Sequence, residues 1–157
     1  MAAGSTASIR RVAARGASLL LDQFAPADTI GERIALFKAE VEARGRVFDP
    51  MSVAVARDAY VSKDEDDRKA ALARAAGVRR RTIEVSRAPD RPGGSHVLSY
   101  DHGDDGNEAA LYGTPEEIAA KLETLRAAGV RYVLANFGGH SRTSLRRFAR
   151  EIVPAFN

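Results

Sequence analysis

The stretch of sequence that decides the fold is YGTPEEIAAKLETLRAAGVRYVLANFGG, residues 112–139, which holds one helix followed by one strand. Thr114 is a preferred N-cap residue, and Glu117, three positions later, completes a capping box. Gly129 is the type of residue that follows the last turn of a helix. Residues 130–137 are too apolar for a strand with one face in water, so they predict a parallel strand covered on both sides.

The rest of the chain alternates between the same two kinds of segment. Strand-like segments lie at 1–3, 17–22 and 51–61, and helix-like segments lie at 5–16, at 29–44, from 62 to about 80 and from about 140 to 153. This alternation predicts parallel β/α units. A closed barrel of eight such units has about 250 residues. The 157 residues present therefore predict a single α/β domain, 1–157, built as a partial TIM-type barrel.

Two local patterns refine this outline. Ser62 and Glu65 have the spacing of a second capping box, which predicts a helix that starts directly after the third strand. Arg57 and Asp58 are unusual inside a strand otherwise rich in apolar residues. A structural ion pair between them is one interpretation, and contact with a ligand is the other.

Composition excludes several classes of function. The 24 basic residues barely exceed the 21 acidic ones, and aromatic residues make up only 6%, so no nucleic-acid partner is expected. The absence of cysteine rules out disulfides, thiolate metal sites and a cysteine nucleophile. The acids of residues 64–67 are consecutive rather than convergent, so no metal site is expected. The first residues lack the pattern of a signal peptide, and no apolar run has transmembrane length, which predicts a cytoplasmic protein without a membrane partner.

A turn of small residues near the start is the first candidate site. Gly4 and Ser5 directly precede a helix, and Ser5 is a good N-cap residue. The free backbone N–H groups and the positive dipole end at a helix N-terminus suit a phosphate group. From these residues alone, both a phosphate-binding turn and a plain helix cap fit.

The second candidate region is 86–111, SRAPDRPGGSHVLSYDHGDDGNEAAL, which has little periodicity and many glycines, prolines and aspartates. Loops of this length in a compact domain are functional lids or flexible insertions. His96 and His102 are candidates for acid–base groups or ligands, and a mobile surface segment is the alternative. Gly138 and Gly139, directly after the strand-like run, fit either a tight turn or a contact with a ligand.

Three stretches together resemble the C-terminal part of the luciferase-like, flavin-dependent monooxygenases. They are AAGSTASIRRVAARGASLLLD (2–22), MSVAVARDAYV (51–61) with the acidic helix start after it, and the stretch 112–139 with a closing helix that ends in IVPAF (152–156). The resemblance spans nearly the whole chain. It implies a TIM-type barrel that binds reduced FMN or the deazaflavin F420 and oxidises small organic substrates with O₂.

The resemblance also implies site residues and partners. Ala3, Gly4 and Ser5 match the family segment that holds the flavin phosphate, and 86–111 matches a mobile loop over the active face. Candidates for substrate or phosphate contact in that loop are Arg87, Arg91, His96 and His102. A separate flavin reductase would supply the reduced cofactor. The family's first barrel half, which provides much of the pocket for the flavin ring, has no counterpart in the sequence, so catalytic residues stay unknown. We therefore expect a homo-oligomer or a partner half-barrel.

Two hypotheses of different classes follow. In the first, the chain is part of a flavin-dependent monooxygenase or, with F420, of a related oxidoreductase. In the second, it is a non-catalytic half-barrel remnant whose exposed strand edges serve assembly.

Overall fold

The structure, a computed structural model, describes residues 1–86, 109–138 and 142–156. Within these ranges, four strands and five α-helices alternate along the chain. Short 3₁₀ turns precede the second strand at Pro50–Ser52 and follow the last helix at Val153–Ala155. In chain order the strands and helices are α1 (Thr6–Ala14), β1 (Leu19–Leu21), α2 (Ala27–Glu42), β2 (Val53–Val61), α3 (Glu65–Ser86), β3 (Leu111–Gly113), α4 (Pro115–Ala127), β4 (Tyr132–Asn136) and α5 (Arg142–Glu151).

Strand β2 is the centre of a parallel, open sheet. Its first half pairs with β1 on one side and with β4 on the other, since both strands pair with Ala54 and Val55. Its last residues, Ala59–Val61, pair with β3. Ala2 adds a parallel bridge to Leu20, so the start of the chain runs beside β1. The predicted fold, an α/β partial barrel with parallel strands, is confirmed.

The two faces of the sheet differ sharply. Along β2, residues are alternately buried and half-buried. The buried set packs with apolar side chains from α1, α2 and α4. The opposite face, called the open face below, carries the in-register side chains Leu20, Ala54, Ala56, Asp58, Tyr60, Tyr112, Tyr132, Leu134 and Asn136. On this face Tyr132 is 42% exposed and Leu134 is 39% exposed.

The open face corrects the prediction that β4 is covered on both sides. Residues of β4 alternate between exposed and half-buried, as in a strand with one face in water. The apolar run at 130–137 does form a strand, but Tyr132 and Leu134 of that strand are exposed. Helices cover one side of it, but no element among the described residues covers the other.

The stretch that predicted the fold has the expected local structure. The Thr114 hydroxyl accepts a hydrogen bond from the Glu117 N–H at 3.4 Å, and the Thr114 N–H donates to Glu117 Oε2 at 2.8 Å. Gly129 follows the helix with a φ of 97°, a conformation that favours glycine. Leu125 of α4 and Val130 are buried in the main core.

Two predictions about the middle of the chain are wrong. Helix α3 is capped by Asp64, whose Oδ1 accepts from the Asp67 N–H at 2.8 Å, and not by Ser62, which is still paired to β3 through its N–H. The end of the 86–111 segment is not loop, because Leu111 is fully buried and begins β3. Three residues are too few to show a period of two, so this strand left no pattern in the sequence.

Candidate functional site

The turn Gly4–Ser5 lies at the carboxyl edge of the sheet. The Ala3 N–H donates to the Leu20 carbonyl at 3.1 Å, which aligns the start of the chain with β1. Gly4 follows at the end of that alignment, beside Asp22, the residue after β1. A methyl group built on Gly4 would lie 3.5 Å from Asp22 Oδ2. The carboxyl ends of parallel strands are where open α/β sheets bind ligands.

Ser5 caps α1 in an unusual reciprocal pair with Ser8. The Ser8 N–H donates to Ser5 Oγ at 3.3 Å, and the Ser5 N–H donates to Ser8 Oγ at 3.1 Å. The next two N–H groups, those of Thr6 and Ala7, belong to the first turn and have no acceptor within the helix. Both residues are exposed, and the first turn holds no acidic side chain. The positive end of α1 is therefore accessible and is not neutralised from within the helix.

Three buried charged side chains lie behind this turn. Arg33 Nη1 is 2.6 Å from Asp22 Oδ2, and the two side chains are only 8% and 10% exposed. Asp22 Oδ1 also accepts the N–H groups of Phe24 and Ala25, both at 2.9 Å. Although burial opposes it, these backbone hydrogen bonds and the Arg33 guanidinium hold the pKa of Asp22 below its usual value.

Arg57 completes the cluster from β2. Its guanidinium donates to the carbonyls of Asp22 at 2.9 Å and Ala25 at 2.7 Å, so it fastens the loop that follows β1. Burial lowers the pKa of Arg57 to about 10, and the Asp22 carboxylate partly offsets this, so the side chain is charged at neutral pH. The expected ion pair between Arg57 and Asp58 is wrong, because neighbours in a strand point to opposite faces.

Asp58 instead lies on the open face at the carboxyl end of β2. Its Oδ1 accepts from Asn136 Nδ2 at 2.8 Å, and Asn136 Oδ1 accepts from the Gly138 N–H at 3.0 Å. Burial raises the pKa of the Asp58 carboxyl, with the Asn136 hydrogen bond acting in the opposite direction. Gly138 thus serves the turn after β4, with a φ of 58°; Gly139 lies outside the described residues.

Two tyrosines continue this polar region. The rings of Tyr60 and Tyr112 are directly opposite in register, with centroids 5.9 Å apart. The Tyr60 hydroxyl donates to Asp67 at 2.9 Å. Burial, followed by the nearby Asp58 carboxylate, raises the pKa of Tyr112. Sequence reasoning missed Asn136 and both tyrosines, although their position at strand ends was a usable indication.

The other predicted contacts fall outside the described ranges. Arg87, Arg91, His96 and His102 all belong to residues 87–108, so their placement is not tested. Within the described ranges, no group of three or more His, Asp or Glu side chains is arranged to hold a metal ion. None of the helices described there combines the length and apolar character needed to cross a bilayer.

Three solved structures share the fold of this chain. The monooxygenase RslO1 from Streptomyces bottropensis superposes with a TM-score of 0.74 at 18% identity, covering 99% of this chain and 47% of that one. The oxygenating constituent of 3,6-diketocamphane monooxygenase from Pseudomonas putida, in complex with FMN, gives 0.67 at 16% identity, with 99% and 47% covered. An F420-dependent secondary alcohol dehydrogenase in complex with an F420–acetone adduct gives 0.70 at 18%, with 99% and 48% covered.

This chain thus spans about half the length of the solved chains it matches. No curated protein matches it by sequence. The family model for luciferase-like monooxygenases matches residues 1–132, which is most of the chain and includes the Gly4–Ser5 turn, the buried charged cluster and β2. On this match and the parallel half-barrel fold, the chain belongs to the luciferase-like monooxygenase family.

Proposed function

We propose that this chain is the phosphate-binding part of a flavin-dependent oxidoreductase and that Ala3, Gly4 and Ser5 hold the cofactor's phosphate. The observation that carries the proposal is the start of α1. Thr6 and Ala7, whose N–H groups have no acceptor within the helix, are exposed residues at the ligand edge of the sheet, and the first turn holds no acid. Family membership supplies the cofactor class, since relatives of this fold are complexed with FMN or with F420.

In this proposal the bound reduced flavin would supply the redox chemistry that oxidises a small organic substrate with O₂. The chain's own residues bind and orient. The α1 N–H groups and the Ser5 hydroxyl hold the phosphate, and Arg57 and the Asp22–Arg33 pair keep the neighbouring loop rigid. FMN is the first choice of cofactor. F420 is the alternative, and its phosphate would use the same turn.

The exposure of apolar side chains on the open face supports the proposal that a second barrel half completes the site. In a closed barrel this face is the packed interior, yet here Tyr132 and Leu134 are exposed and β4 has no partner beyond β2 among the described strands. An apolar cleft of about 270 Å³ lies beside β4 between α4 and α5, lined by Leu122 and Phe148 among others. We propose that a complementary half of a luciferase-like barrel covers these surfaces, as the double length of the solved relatives indicates.

Titration with FMN and with riboflavin tests the phosphate site directly. The chain should bind FMN more tightly than riboflavin, which lacks the phosphate. Ser5→Ala should weaken FMN binding by roughly 1–2 kcal/mol, on the scale of one hydrogen bond to a charged group, and should leave riboflavin binding unchanged. Flavin fluorescence quenching measures both affinities.

Thr114→Ala is the matched control, because it removes the N-cap of α4 just as Ser5→Ala removes that of α1. It should not alter the affinity for FMN. If both variants weaken FMN binding equally, the phosphate is not at Gly4–Ser5. If the chain shows no FMN or F420 binding at millimolar ligand, cofactor binding by the isolated chain is refuted. Comparing FMN with F420 in the same titration decides between the two cofactors.

The exposed face, and the edge of β4 that has no neighbour in the part of the chain that the structure describes, favour the second candidate function, a non-catalytic assembly domain. Light scattering after size exclusion separates its forms. A dimer of this chain alone would identify a second copy as the occupant of the open face, whereas a stable monomer would count against assembly through the strand edge. The flavin titration then distinguishes an assembly domain from part of an enzyme.

A further inference from the structure

A polar group on the open face lies where a ligand held at Gly4–Ser5 would extend. It consists of Asp58, Asn136 and Tyr112 and is called the open-face polar group below. Gly4 aligns with the end of β1, and Asp58 lies on the next strand. Neighbouring strands are about 4.8 Å apart, so roughly 10 Å separate the start of the chain from β2 across the sheet. A cofactor anchored by its phosphate at the first position would bring its reactive ring toward the second.

In the open-face polar group, one carboxylate oxygen of Asp58 remains as a hydrogen-bond acceptor for a ligand. Asn136 is fixed from two sides, since its amide donates to Asp58 Oδ1 and its own oxygen accepts the Gly138 N–H. The Asn136 contact therefore fixes one carboxylate oxygen of Asp58 and leaves the other for a different donor. The carboxyl is partly buried, and this burial raises its pKa, with the Asn136 hydrogen bond acting in the opposite direction. A donor brought by a ligand would relieve that desolvation.

The surroundings of the group are apolar and aromatic. Ala56 and Leu134 lie on the same face one step toward the amino ends of the strands, in register with each other. The paired rings of Tyr60 and Tyr112 form the other border. Sites that bind small molecules combine such a mainly apolar lining with a few convergent polar groups.

We propose that Asp58, oriented by Asn136 and assisted by the Tyr112 hydroxyl, binds a hydrogen-bond donor on the substrate. The substrate class is a small, mainly apolar compound that carries a hydroxyl or amino donor next to a ring or a short apolar group. This inference rests on the proposed function, in which the cofactor's phosphate is held at Gly4–Ser5 and the rest of the ligand extends along the carboxyl ends of the strands. It adds a specificity-determining contact that none of the turn residues provides.

Small aromatic probes test the contact without knowledge of the natural substrate. Benzyl alcohol has a donor, benzyl methyl ether keeps the oxygen as an acceptor only, and toluene has neither. In amide NMR spectra of the full chain, benzyl alcohol should shift residues 58, 112 and 136 saturably. The ether and toluene should bind about tenfold more weakly, as expected for the loss of one hydrogen bond to a carboxylate.

Asp58→Ala should remove the preference for the alcohol over the ether, and Tyr112→Phe should reduce it. Asp66→Asn changes an exposed carboxylate outside the group and should have no effect. Equal binding of alcohol and ether by the unmodified chain would overturn the inference, and so would an unchanged preference in Asp58→Ala.

The flavin titration is read separately from the probe experiment. Flavin binding with no discrimination among the probes overturns this inference and leaves the proposed function intact. Discrimination among the probes in a chain that binds no flavin refutes cofactor binding by the isolated chain and supports the donor contact.

Discussion

Replacing Asp22 by alanine should destabilise the fold more than any change to an exposed charge. The side chain binds Arg33 through Oδ2 at 2.6 Å and two backbone N–H groups through Oδ1 at 2.9 Å. Asp22→Ala removes the carboxylate that pairs with the Arg33 guanidinium, whose side chain is 8% exposed. It also removes the acceptor for the Phe24 and Ala25 N–H groups, which lie in the loop that Arg57 binds through the Asp22 carbonyl.

The expected cost follows from these contacts. Removing one member of a buried ion pair costs about 3–5 kcal/mol, because an uncompensated charge stays behind. Asp22→Asn keeps an oxygen for the backbone N–H groups but loses the charge and replaces the oxygen that binds Arg33 by an NH₂ group, so we expect a loss of about 1.5–3 kcal/mol. Domains of this kind have about 5–15 kcal/mol of total stability, so both variants should fold well enough to measure.

Urea denaturation gives the free energy of unfolding of each variant at pH 7 and at lower pH. Since the pKa of folded Asp22 lies below 3.8, its stabilisation is complete above that value and is lost as the pH falls through the folded pKa. The difference between the unmodified chain and Asp22→Asn should therefore shrink in acid. A cost below about 1 kcal/mol for Asp22→Ala would show that the pair is screened by solvent and contradict the argument.

Two further changes test the local geometry and the open face. Gly113→Ala should cost about 1–3 kcal/mol, since φ is 150° and the new methyl would contact the Glu117 carboxylate of the capping box. Gly45→Ala, with φ at 71° but no atom within 4 Å, is its control and should cost about 1 kcal/mol in the same urea assay. Asp58→Asn should stabilise the chain at pH 7. Because the pKa of Asp58 in the folded chain is raised above 3.8, the unmodified chain loses stability as the pH rises from below 3.8 through that folded pKa, and the variant does not. Parallel pH profiles for the variant and the unmodified chain would contradict this.

The sequence was informative wherever neighbouring residues determine the structure. The Thr114 capping box, the Ser5 cap and the turn at Gly129 depend on groups within one helical turn, so residue type and spacing predicted them correctly. At Ser62 the same reasoning failed. Asp64, two positions later, caps the helix instead, because the Ser62 N–H is still bonded to the Gly113 carbonyl in the sheet.

The sequence pattern did not predict contacts between residues that are far apart in the chain. Asp58 and Asn136 are 78 residues apart, and only the register of β2 against β4 brings them into contact. The alternation within β2 itself puts Arg57 under the helices and Asp58 on the open face, whereas the identity of the partner of each side chain depends on distant segments. An apolar run indicates that a strand is suited to burial on both faces, but it does not indicate which element packs against each face.

By itself, the sequence determined the alternation of helices and strands apart from β3, and with it the parallel α/β class, because periodicity and caps are local properties of the chain. Its resemblance to the luciferase-like family was also visible in the sequence alone. Only the tertiary structure decided which strand edges and which sheet face lack a neighbour within residues 1–86, 109–138 and 142–156. It also joined Asp22, Arg33 and Arg57 in one buried cluster and brought Asp58 and Asn136 together on the open face. The physical reason is that burial and strand register are set by contacts between segments far apart in the chain, which no local pattern records.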